Sequence, residues 1–556
     1  MILPARHARS VALLLAAALS ACATTSPAIS PAAAGTVASA APLPRTRAER
    51  TNYLETSHYA DVVDFLDSLK ALRAPLAFGS IGKSAEGREI PYVIASRPLV
   101  HTPAEAKATG RPVVYVQGNI HAGEVEGKEA LLALLRDLAF ASRANVLDSI
   151  VLVAVPIYNA DGNEKFGPQE RQRTEQNGPE LVGQRPNAQG FDLNRDYVKA
   201  EAPETRASLA MFDAWDPDVF VDLHTTDGSF HGYALTYSPS LNPAAPLGDY
   251  TRSLLAELRK RVRERDGYET FDYGNFNDAG GREVSTDSVH DGWYTYDHRP
   301  RFGTNYYGLR NRISVLSEAF SHDPFERRVK STYAFTSELL SLIAEHAGEV
   351  KERTARTPDM TQSRGLVATA VPIRSALPPT APSQPVRYEI LARTGDSART
   401  QPGVPRGIRR TGRIVTRDMP VFDRFVPTLE RPVVGEYVIS GRDTATLRRL
   451  ALHGVAARPI AALPRSLEEF IVDSVSRASR PFQGHLETRV FGQWRAAGSD
   501  VAIDDPYVVD AVAEPSLVMY LLDPESDDSF GTWDLYPAPL APGVHPVRRV
   551  MLRTLR

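Results

Sequence analysis

These 556 residues predict an α/β protein whose sheet is at least partly parallel, followed by a smaller β-rich module. Three observations carry that expectation. An apolar run, Val113 to Val116, breaks at Gly118 and leads into a segment where Leu131, Leu132, Leu134, Leu135 and Leu138 recur at helical spacing; a second apolar run, Ile150 to Ile157, follows. Strand, helix and strand in that order form a βαβ unit, whose two strands run parallel. Two further apolar strands, Val219 to His224 and Ile313 to Glu318, each end in a side chain able to bind a metal or move a proton. Finally, residues 351–385 are rich in Pro, Thr, Ser and Ala, and beyond them the apolar segments are short: Tyr388 to Leu391, Val433 to Ile439 and Leu517 to Leu522. Such a stretch reads as a domain boundary, and short apolar segments read as strands.

Taken in order, the chain opens with Arg6, His7 and Arg9, then a short apolar run from Val11 to Leu19, closed by Leu19-Ser-Ala-Cys22. That run is too short to span a bilayer and fits a secretory signal peptide over residues 1–21. Its ending resembles the bacterial lipobox, which implies cleavage before Cys22, a lipid on its thiol, and an exported, membrane-anchored chain in the cell envelope. Cys22 is the single cysteine, so no disulfide is expected within the mature chain. Residues 22–45 read as a flexible tether. A catalytic region is expected over 46–350, with an amphipathic helix between Tyr53 and Leu72 and edge strands at Leu76–Gly79 and 84–95. After the βαβ unit comes a long polar loop reaching Gly190, a helix over Leu254 to Val262, and a Gly- and Asn-rich loop over Gly274 to Gly281. The linker spans 351–385 and the β-rich module 386–556, with a helix expected at Ser466 to Ser476 and a solvated edge strand at the Arg-rich end, Arg548 to Arg556.

Lys plus Arg total 64 against 67 Asp plus Glu, a formal net charge of -3, so no global basic field for nucleic acid exists. Chemistry concentrates at His121-Ala-Gly-Glu124, placed just past a buried strand, where open α/β sheets bind ligands. His-x-x-Glu alone is weak evidence, since His346-Ala-Gly-Glu349 repeats it after a helical segment and reads as a solvated helix end. His224 supplies the distant third ligand, and a His, Glu, His set suits one catalytic zinc ion with an open position for water. Asp222 shares a strand face with His224 and reads either as a carboxylate that orients an imidazole or as a buried, capped carboxylate. Glu318 is the candidate base, and Arg171, Arg173, Arg185 and Arg195 in the polar loop are candidate oxyanion donors.

His121-Ala-Gly-Glu124, Gly190-Phe-Asp-Leu-Asn-Arg195, Asp222-Leu-His224 and Glu318 together resemble the zinc carboxypeptidase (peptidase M14) family over roughly residues 50 to 345. The resemblance implies an eight-stranded mixed α/β sheet covered by helices, zinc on His121, Glu124 and His224, and Glu318 as general base. It further implies that Asn194 and Arg195 hold a substrate's terminal carboxylate and that an arginine polarises the scissile carbonyl; Arg185 is chosen, with Arg173 the alternative. Arg185 stands nearer the Asn-Arg pair than in the best-known members. A substrate-capping tyrosine also belongs to the family, and among Tyr296, Tyr306 and Tyr307 the choice is Tyr306. The expected activity is hydrolysis at a peptide's carboxyl end. The alternatives are an amidase acting on N-acyl amino acids or cell-wall peptides, and a non-catalytic binding lipoprotein. The β-rich module has no assigned role beyond packing on the catalytic region, and nothing in the sequence fixes the oligomeric state.

Overall fold

The computed structural model describes residues 42–276, 290–355, 370–395 and 404–552. The signal segment, Cys22 and nearly all of the tether lie outside the described residues, as does the second half of the Gly274 to Gly281 loop. Eight strands form the main sheet: β1 (Leu76–Lys83), β2 (Glu89–Ala95), β3 (Val113–Gly118), β4 (Val151–Val155), β5 (Val219–Thr225), β6 (Leu235–Pro239), β7 (Thr270–Asp272) and β8 (Ile313–Ala319). Their order is β1-β2-β4-β3-β5-β8-β6-β7. The four central strands, β4, β3, β5 and β8, are mutually parallel, while β1, β2 and β6 join by antiparallel pairing and β7 runs parallel to β6.

Every residue of the four central strands is buried, which explains their near-continuous apolar sequences. One face carries Val114, Val116, Leu152, Val221 and Val315 against the helices Tyr59–Ala71, Glu126–Ala139, Gly248–Asp266 and Phe325–Glu345. The other face turns Tyr115, Val153 and Phe220 toward the helix Pro203–Trp215 and, beyond it, toward the carboxyl-terminal region. Because β3 and β5 are adjacent and parallel to β8, their carboxyl ends open at one edge of the sheet, where His121, His224 and Glu318 emerge.

The carboxyl-terminal region is β-rich, as expected. Its largest sheet has six antiparallel strands, introduced in chain order as β9 (Val434–Ser440), β10 (Ala457–Pro459), β11 (Leu467–Arg477), β12 (Thr488–Ala496), β13 (Pro506–Asp510) and β14 (Gly543–Met551). Three local expectations are corrected. Ser466 to Ser476 is the strand β11, not a helix: Leu467, Phe470 and Val472 are buried and the residues between them half-buried. Leu517 to Leu522 is helical, within Pro515–Leu522, and buried on all sides, which hides its period. The Arg-rich strand β14 is interior, between β9 and β11, and its arginines pair with Glu469 and Glu468.

Leu43–Arg556 packs as one compact unit. A single apolar cluster joins Tyr115, Phe220 and Tyr307 of the eight-stranded sheet side to Tyr437, Phe470, Leu517 and Trp533 of the carboxyl-terminal region. Trp533 is fully buried and lies under two cations from the sheet side, Lys199 at 4.1 Å and Arg301 at 4.3 Å. No helix among the described residues is long and apolar enough to cross a membrane.

The shared core generates a test. Trp533→Ala is expected to destabilise the protein by about 3–5 kcal/mol, with the sheet and the carboxyl-terminal region still unfolding together. Urea titration followed by near- and far-UV circular dichroism measures both; two separated transitions would show regions that fold independently.

Candidate metal centre and active site

β3 ends at Gly118, and the chain turns sharply through Asn119, whose φ of 66° lies in the left-handed region that Asn tolerates better than most residues. The Asn119 side-chain amide donates to the carbonyls of Ala122 and Glu124, fixing the turn that presents both His121 and Glu124. Gly123 permits a close approach: a Cβ there would meet Arg173 Cγ and the Gly183 carbonyl at 2.9 Å each. These contacts explain why the tetrapeptide at 121 builds a site and its copy at 346 does not. The copy lies at a helix junction, its histidine half-exposed and 3.5 Å from Glu349.

His121, Glu124 and His224 are all buried, and their donor atoms lie within 4.8 Å of one another. His121 Nδ1 stands 3.0 Å from Glu124 Oε1, and His224 Nδ1 stands 2.9 Å from Glu124 Oε2. The outer nitrogen of each imidazole faces its own carboxylate: His121 Nε2 to Asp192 at 3.0 Å, His224 Nε2 to Asp222 at 2.9 Å. Gln117 in turn donates to Asp222 at 3.1 Å. Both Nδ1 atoms and the Glu124 carboxylate face one shared centre, with Asp192 and Asp222 behind the rings, so the three side chains fit one zinc ion.

Burial works against an ionised Glu124, but the facing His121 and the Arg173 guanidinium outweigh it and hold the carboxyl well below its usual range. Arg173 is buried: Nη1 donates to Glu124 at 3.0 Å and Nη2 to the carbonyls of Thr225 and Thr226 at 3.0 Å, while Nε lies 3.0 Å from Glu175 without a hydrogen bond among the described residues. Arg185 is partly exposed and lines the cavity; its Nε donates to Asp192 at 2.8 Å, and Nη1 reaches within 3.5 Å of Glu124.

Glu318 on β8 stands directly across from His224 on β5 in parallel register. Its Oε2 has no hydrogen-bond partner among the described residues, and burial pushes its carboxyl well above the usual value, with Glu124 and Asp227 adding to the rise and His224 opposing it. A carboxyl of raised proton affinity beside a metal site suits general acid and base work. Asn194 lies 3.4 Å from His224 Nε2, its side-chain oxygen accepting from the Gly303 amide at 2.9 Å. Arg195 packs its guanidinium 3.9 Å over the Phe302 ring.

Tyr306, the tyrosine expected at the site, is elsewhere. It is fully buried in the apolar cluster with its hydroxyl 2.8 Å from His453, because its short helix, Gly303–Leu309, is buried along its whole length. Tyr296 and Tyr273 line the cavity instead; Tyr296 has no hydroxyl partner among the described residues, and Tyr273 donates to Asp227 at 2.8 Å. Sequence reasoning overlooked Asp227, Tyr273, Phe302 and the hub role of Asp192. Only Asp192 carried a signal, its place in the Gly-Phe-Asp-Leu-Asn-Arg run. The cavity encloses about 50 Å³, less than the ~300 Å³ at the low end for ligand pockets.

Residues 62–308 match the family described as peptidase M14, zinc carboxypeptidase. Carboxypeptidase 2 of Trichophyton equinum is 26% identical over 292 residues, covering 48% of this chain and 48% of that protein. Carboxypeptidase D of Mus musculus is 34% identical over 159 residues, 26% of this chain and 10% of its own length. The chain thus spans about half, or less, of the curated relatives it matches. Among solved structures, a metallo-carboxypeptidase from Burkholderia cenocepacia superposes with a TM-score of 0.39 at 16% identity, over 52% of this chain and 70% of that one.

The crowding at Gly123 yields a measurable consequence. Gly123→Ala drives a methyl against Arg173 and a backbone carbonyl, and zinc affinity in chelator competition is expected to fall roughly 10- to 100-fold. Unchanged affinity would contradict the packing described.

Proposed function

We propose, on the premise that residues 62–308 are a zinc carboxypeptidase domain, that this chain is a zinc-dependent metallocarboxypeptidase cleaving the last peptide bond of its substrate. The observation that carries this reading is Glu318, whose Oε2 has no hydrogen-bond partner among the described residues, in register with His224 and in one cavity with Arg185 and Arg195.

His121, Glu124 and His224 would hold the zinc ion, which when bound acidifies a water and polarises a carbonyl. Glu318 takes a proton from the attacking water as its oxygen bonds to the scissile carbonyl carbon. The same carboxyl then gives that proton to the departing amine as the C–N bond breaks, so one proton is taken up and one returned. Arg185, held through Nε by Asp192, directs its remaining N–H groups at the oxygen that gains negative charge. Arg173 is unsuited to that task because Glu124 and two backbone carbonyls already take its donors. Arg195 and Asn194 bind the terminal carboxylate, with Phe302 fixing the plane of the guanidinium. Their pairing favours peptides with a free carboxyl end over other amides.

The lipobox-like Leu19-Ser-Ala-Cys22 supports export and attachment to a membrane through lipid on Cys22. Cys22→Ser is therefore expected to move the protein from the membrane fraction to the soluble one after cell fractionation.

Two measurements test the catalytic reading. With carboxyl-terminal, amino-terminal and N-acyl-amino-acid substrates screened side by side, turnover is expected on the first; turnover confined to the acyl amino acids would establish the amidase alternative. Glu318→Gln is expected to lower kcat by roughly 10²–10⁴-fold while metal analysis still finds about one zinc per chain, and normal turnover in that variant would sink the mechanism.

A further inference from the structure

The strands β11 and β12 form a hairpin that projects from the carboxyl-terminal sheet toward the catalytic side. At its tip Phe482 and His485 exchange backbone hydrogen bonds of 2.8 and 3.0 Å, enclosing Gln483 and Gly484. Both enclosed residues have positive φ, 50° for Gln483 and 83° for Gly484, the conformation of a type I′ turn. Glycine, Asn and Asp suit the first position of such a turn, whereas Gln is strained there. Backbone strain that persists is a pointer to function.

The use of that strained residue is visible. Gln483 Oε1 accepts the backbone N–H of Asp192 at 2.9 Å. Asp192 is the hub of the site: its Oδ1 faces His121 Nε2 and accepts the Asn194 amide, both at 3.0 Å, and its Oδ2 accepts Arg185 Nε at 2.8 Å. The same hairpin is anchored on either side of that contact. His485 Nε2 lies 2.9 Å from Glu201, at the far end of the Asp192 loop, and Glu487 pairs with Arg301, immediately before Phe302. Asp528, also from the carboxyl-terminal region, accepts from the Arg301 side chain at 2.9 Å and from its backbone amide at 2.7 Å. Both loops that carry the substrate-side residues, 192–201 and 296–303, are therefore held from the same region.

We propose that the carboxyl-terminal β-region braces the active site, with Gln483 as a positioning residue that fixes Asp192 and, through it, His121, Asn194 and Arg185. This rests on the metal-site reading above. It gives the region a task beyond covering apolar surface: the alignment of a ligand's orienting carboxylate depends on a hairpin almost three hundred residues away in sequence, the |i−j| of the contact being 291.

A substitution at Gln483 separates this task from structural support, because the two pull in opposite directions. Gln483→Gly relieves the strained turn while removing the acceptor, so the melting temperature is expected to stay level or rise. Release of zinc to a chelator is expected to quicken, and kcat/KM to fall, each by roughly five- to tenfold, the worth of one hydrogen bond. Gln483→Asn, a residue suited to the turn but one methylene too short to reach Asp192, is expected to behave alike. Wild-type zinc release and kcat/KM in both variants would overturn the proposal, as would losses that appear only in step with a lower melting temperature. A wild-type chain that takes up no zinc would instead sink the metal-site reading itself, and this proposal with it.

Discussion

A carboxylate enclosed by four close partners sets the terms for the rest of this molecule. Glu124 is buried, and a buried carboxylate is tolerable only with its lone pairs met by charged or hydrogen-bonding neighbours. Two imidazoles, the Arg173 guanidinium and the Thr225 backbone N–H surround it here. Each partner brings its own requirement. The imidazoles need orienting carboxylates, supplied by Asp192 and Asp222, and Arg173 needs a lane past the backbone, supplied by a residue without a side chain at position 123. The demand continues outward. Asp192 needs its backbone fixed, and Thr225, next to His224, hands its hydroxyl to the buried Glu126, which lies 3.4 Å from the equally buried Arg328. Each buried polar group in such a network calls for a partner of its own, which is why so much of the chain is committed to one acid group.

Much of this was legible in the sequence because it depends on local pattern. The β-branched run before Gly118, the leucines after it, and the apolar strands ending in His224 and Glu318 each declare their structure within ten or so residues. Placing three chemically able residues at strand ends required only the rule that parallel strands present their carboxyl ends to one edge. The choice of Arg185 over Arg173 could be argued only weakly from spacing. In the structure Arg173 donates to Glu124 and two carbonyls, while Arg185 lines the cavity and donates through Nε to Asp192.

What was not legible depended on distant partners. Nothing near Tyr306 announces that His453 will take its hydroxyl, so a core residue could not be told from a site residue. The helix at Pro515–Leu522 and the strand at Leu467–Arg477 were exchanged because a helix buried all round has no polar stripe and an amphipathic strand of moderate polarity has too weak an alternation. Gln483 was invisible for the same reason in stronger form. Its strain appears only in φ, and its partner lies in a different region of the chain.

The parallel register of β5 and β8 has a bearing on how such a site could change over time. His224 and Glu318 are direct neighbours across the pair, so a one-residue slip of either strand would turn its functional side chain to the opposite face of the sheet. An insertion within either strand would break this juxtaposition, whereas a length change in the loops beyond Thr225 and Ala319 would leave it intact. The rim loops can thus change in length while the spacing of His224 and Glu318 stays fixed by the hydrogen-bond ladder between them.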